Sequence, residues 1–146
     1  MADIVTGGRV IMGVGRGYHT REVETFGGPL LDAQKNREVF EEGVQLMLKA
    51  FNEESFSFKR KHFTVPPEVD YRGYKLKEIT LAPRPIHTPV SISMPIASGS
   101  TIGMMAKYGL KAMVTLNGEK ILDGVIRACH AARAKHGQDV VPAFTG

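Results

Sequence analysis

Strand-length apolar runs that alternate with segments of helical period predict an α/β fold of parallel βα repeats, with one small surface hairpin set into it. Three observations carry that prediction. "RVIMGV" at residues 9–14 and "VSISMPIA" at residues 90–97 are apolar runs too short for helices. Each is followed by a glycine-containing loop and then by a stretch whose apolar residues recur every three or four positions. The 16 glycines and 8 prolines cut the whole chain into short elements.

Taken in order, residues 9–14 read as a strand buried on both faces, as in a parallel sheet. Residues 32–51 read as a helix, with Phe40, Val44, Met47 and Phe51 on one face. Glu38, Glu41, Glu42, Gln45 and Lys49 take much of the other face, and Asp32 can cap the start. From residue 55 to 65 the period becomes two, "FSF" and "FTV" flanking "KRKH", which predicts a hairpin laid on the surface. "APRPIHTP" at residues 82–89 reads as a stiff, extended connector. A second strand at 90–97 leads to a helix through Met104, Met105 and Ala106 that stops at Gly109. "KAMVT" at 111–115 is a third strand. Asn117 can cap a helix that carries Ile121, Leu122, Val125, Ile126 and Cys129 and closes at Gly137. A fourth strand is expected from Val140 onward. This order fits both an open doubly wound sheet and a (β/α)8 barrel, and pattern does not choose between them.

Composition narrows the function classes. With 146 residues, 42% hydrophobic and 23% charged, the chain can bury a core and is not a disordered segment. A formal charge of +4 is mildly basic. The one dense basic run, Lys59-Arg60-Lys61, has no interleaved aromatics and reads as a solvated turn, so a nucleic-acid partner is not expected. No apolar stretch approaches the ~20 residues of a membrane helix. The N-terminus lacks a basic-then-apolar leader pattern. Cys129 stands alone, which excludes an internal disulfide and suits a reducing, cytoplasmic setting. His62, His87, His130 and His136 show no ligand spacing with carboxylates, so no metal site is expected.

Two stretches carry chemistry, and both lie where a strand ends and a helix approaches. In an α/β fold that is where ligands bind. The first is "GVGRG", Gly13 to Gly17. Its spacing is not that of a dinucleotide loop, so its glycines read as a tight turn after a buried strand. Arg16, between Gly15 and Gly17, has little to pack on, and a guanidinium is the preferred bidentate partner of a phosphate. The second stretch is "ASGST", with Ser98, Gly99, Ser100 and Thr101 at a helix start. Small hydroxyl residues, free N–H groups and the positive end of the helix dipole suit a phosphate monoester there. Plain helix capping by Ser98 or Ser100 explains the same residues equally well. If the two strands are neighbours, both stretches converge on one phosphate. Tyr18 and His19 follow Arg16 and could reach a ligand. Glu22 could pair with Arg16 or Arg21, or stand in solvent.

"GGRVIMGVGRGYHTREVETFG", the helix after it, the "APRPIHTP" approach and "ASGSTIGMMAKYGLKAMVT" together resemble the bacterial luciferase-like flavin-dependent monooxygenases, over residues 7–137. The resemblance implies a (β/α)8 TIM-type barrel of which this chain supplies part, since such barrels run to ~250 residues. It implies FMN, or a deazaflavin analogue, as cofactor. It implies a reaction in which reduced flavin and O2 oxygenate a small organic substrate. Arg16, with Gly15 and Gly17 beside it, corresponds to the arginine that binds the flavin phosphate. Ser98, Gly99, Ser100 and Thr101 correspond to the phosphate nest after the next strand. Pro95, inside the second strand, leads us to expect a bulge there. No catalytic residue is assigned. A partial barrel would expose sheet edges, so a homo- or hetero-oligomer is expected, and a non-catalytic partial barrel acting as an interaction subunit or an inert fragment is the alternative. An open Rossmann-like nucleotide binder ranks last, for want of an acidic residue ~20 positions past the loop.

Overall fold

The computed structural model describes residues 1–96, 98–114 and 119–140. Ala97, the expected cap at Asn117 and most of the strand expected from Val140 lie outside the described residues. In chain order the elements are α1 (Ala2–Val5), β1 (Met12–Gly13), α2 (Thr20–Val23), a 3-10 turn (Glu24–Phe26), α3 (Ala33–Asn52), β2 (Phe58–Lys59), β3 (Thr64–Val65), β4 (Asp70–Tyr71), β5 (Tyr74–Lys75), β6 (Ile92–Pro95), α4 (Gly99–Lys107), β7 (Lys111–Met113) and α5 (Glu119–Lys135). The fold is mixed α/β with a parallel sheet. By its contacts the chain divides into two compact units: Met1–Val10 with Arg16–Val90, and Ile11–Gly15 with Ser91–Gly146. No helix among the described residues is long and apolar enough to cross a membrane.

In the first unit, α3 forms where its period predicts. Asp32 caps it, accepting from the Lys35 N–H at 2.9 Å. Val44 is fully buried, and Phe56 and Phe58 are buried. The hairpin forms as expected, β2 pairing antiparallel with β3 in the register Phe58↔Val65 and Lys59↔Thr64. Its turn, however, is not merely solvated. The Glu42 carboxylate accepts from the N–H groups of Lys61 (3.0 Å), His62 (2.8 Å) and Phe63 (3.3 Å). Glu38 pairs with the Lys61 ammonium at 2.7 Å and the His62 ring at 3.2 Å, and accepts from the Gln34 amide at 3.0 Å. The polar face of α3 is therefore half-covered by the turn it holds, because a bent turn leaves N–H groups that need acceptors.

A second hairpin, β4 with β5, escapes the sequence reading. Its turn sits at Arg72 (φ +50°) and Gly73 (φ +85°), both in the left-handed region that a two-residue hairpin loop demands. The connector at 82–89 bends repeatedly instead of running straight. The cause is side-chain anchoring. Ile86 N–H donates to the Asp3 carboxylate at 2.9 Å, Val90 N–H donates to Asn52 Oδ1 at 2.8 Å, and the Arg84 guanidinium donates to the Glu53 carbonyl.

In the second unit, β6 is the middle strand of three, in the order β1-β6-β7, and both pairings are parallel. Ile92, Ser93 and Met94 are buried, as expected of a central strand. The predicted first strand shortens to Met12–Gly13 and is not buried on both faces, with Val10 40% and Ile11 62% exposed; Pro95 explains where it stops at its carboxyl end. Val14 N–H donates to the Ser93 carbonyl at 2.9 Å. The return bond of a parallel ladder would come from residue 95, and proline has no N–H to give. The expected bulge is absent: Ser93, Met94 and Pro95 face Lys111, Ala112 and Met113 in unbroken register. Pro95 ends a ladder without kinking the strand.

α4 connects β6 to β7 and packs against α5 and β7. Met105, Ala106, Leu110, Ala112 and Cys129 form the core there, all at most 1% exposed. Burial pushes the Cys129 thiol up in pKa, with the Arg133 charge opposing. Arg133, only 6% exposed, donates to the Leu110 carbonyl at 3.0 Å and the Asp139 carbonyl at 2.7 Å. The Gln138 amide donates to the Ala106 carbonyl. These bonds fasten the end of α5 to the turn between α4 and β7.

Two expectations follow. Lys61, then Gln34 and His62, hold the Glu38 carboxyl down to about 2 from 4.5. A depressed carboxyl stabilises the fold above its ordinary pKa and stops doing so as pH falls through the folded value. The gap in urea midpoint between wild type and Glu38→Gln should therefore be widest above pH 4.5 and close towards pH 2. A gap constant across that window would exclude the ion pair as its source. Separately, Arg133→Ala should cost about 2–3 kcal/mol, because the buried Leu110 carbonyl and the part-buried Asp139 carbonyl lose a charged donor. Urea unfolding measures this, and Arg133→Lys should recover only part, since one ammonium does not reproduce the planar fork.

Candidate functional site

The candidate residues fall on two pieces of structure. Gly15 follows β1 in the second unit, where a Cβ on it would meet the Pro95 ring at 3.7 Å, an ordinary contact. The carboxyl ends of β1 and β6 thus lie side by side, as the sequence order leads us to expect. Beyond β6, Ser98 caps α4 in extended backbone (φ −159°, ψ 166°).

That cap is a full capping box. Ser98 N–H donates to Thr101 Oγ1 at 2.9 Å, and Thr101 N–H donates to Ser98 Oγ at 3.4 Å. The Thr101 hydroxyl also donates to the Ser98 carbonyl at 2.6 Å, and Ser98 Oγ lies 2.9 Å from Ser100 Oγ. So the capping role weighed for Ser98 is realised, with Thr101 as its partner. The N–H groups of Gly99 and Ser100 make no hydrogen bond among the described residues. Ser98 to Thr101 all lie toward the surface, and a Cβ on Gly99 would enter open space. Two free donors, an exposed hydroxyl and a positive helix end make this a place where an anion fits.

In the first unit, Arg16 is half-buried, and its carbonyl accepts from the buried Asn36 amide of α3 at 3.5 Å. Its guanidinium has no ion pair or hydrogen-bond partner among the described residues. Glu22 is exposed and forms no ion pair among them either. Tyr18 is 89% exposed, its ring edge-on to His19. His19 acts locally instead. It caps α2, its Nδ1 accepting from the Arg21 N–H at 3.2 Å.

Of the glycines in "GVGRG", only Gly17 takes a positive φ, +75°. A Cβ there would also lie 2.3 Å from Val23 Cγ2. The expectation that the three glycines serve one turn narrows to this residue: Gly13 belongs to β1, and Gly15 has no positive φ and room for a Cβ at ordinary contact distance from Pro95. Sequence reasoning missed Asn36 and Val23, since a polar residue early in a helix and a valine in a short one carry no distinctive pattern.

The family profile described as luciferase-like monooxygenase matches residues 1–145. The chain belongs to that family. A comparison with curated proteins finds no match. Membership supports a general monooxygenase role for the chain.

In this luciferase-like chain the capping box is made by Ser98 and Thr101, and Ser100 is not a member of it. Ser98→Ala should lower stability by about 1 kcal/mol through loss of the cap, while Ser100→Ala should change the urea midpoint little. Equal losses for both would show that Ser100 also supports the fold.

Proposed function

We propose that this chain is the flavin-phosphate-binding part of a flavin-dependent monooxygenase, built as part of a (β/α)8 barrel. In this reading it uses FMN, or a deazaflavin analogue, with O2 to oxygenate a small organic substrate. The observation that supports it best lies in the second unit: β1 and β6 are parallel neighbours whose carboxyl ends lead into "GRG" and "SGST". Family membership over residues 1–145 points the same way.

Arg16 would meet the phosphate as a bidentate donor, with Gly15 and Gly17 on either side of it. Gly99 and Ser100 would donate their free N–H groups, and the Ser100 hydroxyl a further bond, while Ser98 and Thr101 hold that helix start in shape. When bound, reduced flavin supplies the activation of O2, and the protein supplies anchoring and orientation. Anchoring by the phosphate takes its binding energy from a part of the cofactor that does not react. The outer edges of β1 and β7, which pair with no further strand among the described residues, offer a route to association with another chain.

Arg16→Ala should weaken FMN binding by about 10- to 100-fold, the worth of a charged bidentate contact. Flavin fluorescence titration measures it, and an unchanged affinity would sink the assignment.

A further inference from the structure

The loop after Arg16 is tied more tightly than its exposure explains. Tyr18, Phe26 and Leu31 are each at least 80% exposed, so apolar burial contributes little to its order. Instead the chain closes on one side chain. Val23 Cγ2 would lie 2.3 Å from a Cβ on Gly17, and Val23 Cγ1 would lie 2.6 Å from a Cβ on Gly28. Both distances are impossible for a real Cβ, so the two methyls of Val23 occupy the space that only two glycines leave. The backbone closes around the same residue: Gly28 N–H donates to the Val23 carbonyl at 2.9 Å, and Gly27 N–H to the Glu24 carbonyl at 2.9 Å. Leu31 N–H donates to the Glu24 carboxylate at 2.8 Å. On the other side, the buried Asn36 amide reaches the Arg16 carbonyl. The peptide joining Arg16 to Gly17 is thus held from both ends, by an amide on the Arg16 oxygen and by a methyl over the Gly17 Cα.

We propose that Val23, clasped between Gly17 and Gly28, is a positioning residue that sets the Arg16 backbone for phosphate binding without touching the phosphate. The proposal rests on the reading of Arg16 as a flavin-phosphate ligand. Its physical basis is preorganisation. A loop ordered before binding does not lose further conformational entropy when the guanidinium engages, so more of the contact appears as affinity. Val23 carries two methyls on Cβ, which is the shape required to fill two glycine sites at once and which restricts its own χ1.

The test compares variants of the full chain by FMN fluorescence titration and by 15N relaxation of the Gly17 amide. Val23→Ala should raise fast motion at Gly17 and weaken FMN about ten-fold, because ordering the loop is then charged against binding. In the Arg16→Ala background the same change should alter affinity less than two-fold, because the residue it positions is gone. Val23→Thr keeps both branches at a half-exposed site, so it should retain near wild-type affinity and rigidity. An equal loss in both backgrounds would assign Val23 to general stability and overturn the proposal. So would a Gly17 amide that stays rigid in Val23→Ala. If Arg16→Ala weakens FMN while Val23→Ala does not, only this proposal fails. If Arg16→Ala changes nothing, or wild type does not bind, the flavin reading fails and takes this one with it.

Discussion

The parallel ladder through Ile92–Pro95 determines where everything of interest in the second unit is placed. β6 bonds to β1 on one side and β7 on the other, and its residues Ile92, Ser93 and Met94 are sealed from solvent. Because a parallel strand directs both its N–H and C=O to the same side at alternate residues, Pro95 falls where β1 would need a donor. The β1 ladder stops there, while the Ile96 N–H continues on the other side to the Met113 carbonyl at 3.0 Å. One imino acid thus releases the chain after Gly13 while β6 still pairs with β7. The glycine loop and the α4 cap leave from adjoining strand ends for that reason.

Two arginines show how the same side chain serves opposite ends. Arg133 is buried, and its donors are directed at the Leu110 and Asp139 carbonyls. A cation withdrawn from water is tolerable only when such acceptors surround it. Arg16 is half-exposed, and none of the described residues takes its guanidinium donors. Nothing in its own unit explains that charge by packing or pairing. Its backbone carbonyl accepts from the buried Asn36 amide at 3.5 Å, so the fold engages the main chain of Arg16 and leaves the guanidinium without an acceptor among the described residues.

Local signals made much of this legible in the sequence. The Asp32 cap, the period of α3, the β2–β3 hairpin and the β6–α4–β7 unit each depend on residues close in the chain, so pattern finds them. What failed was tertiary in origin. The basic turn at Lys59-Arg60-Lys61 looked solvated because nothing local reveals that Glu38 and Glu42, some twenty residues earlier, would take its ammonium and its N–H groups. The second hairpin, "DYRGYK", lacks apolar alternation, and its only cue is a left-handed Arg72-Gly73 pair. At the candidate site the serine cap was readable as a motif. The partition of its groups, with Ser98 and Thr101 bound to each other and the Gly99 and Ser100 N–H groups without a partner among the described residues, depends on distances that no spacing reports.

The glycines of "GVGRG" are where spacing misleads most. They invite comparison with phosphate loops, in which glycines let the backbone approach the ligand. Gly17 has a different reason to be glycine, since its positive φ and the Val23 methyl above it would each exclude a side chain in the absence of any ligand. Gly28 is excluded from carrying a Cβ by the same valine, with the Val23 carbonyl only 3.0 Å from where that atom would lie. Glycines at 17 and 28 are therefore two halves of one steric requirement centred on a residue between them. An exposed loop constrained in this way, directly after an arginine whose guanidinium has no partner among the described residues, restricts where that arginine's backbone can go. Val23 is the residue on which both glycine requirements meet.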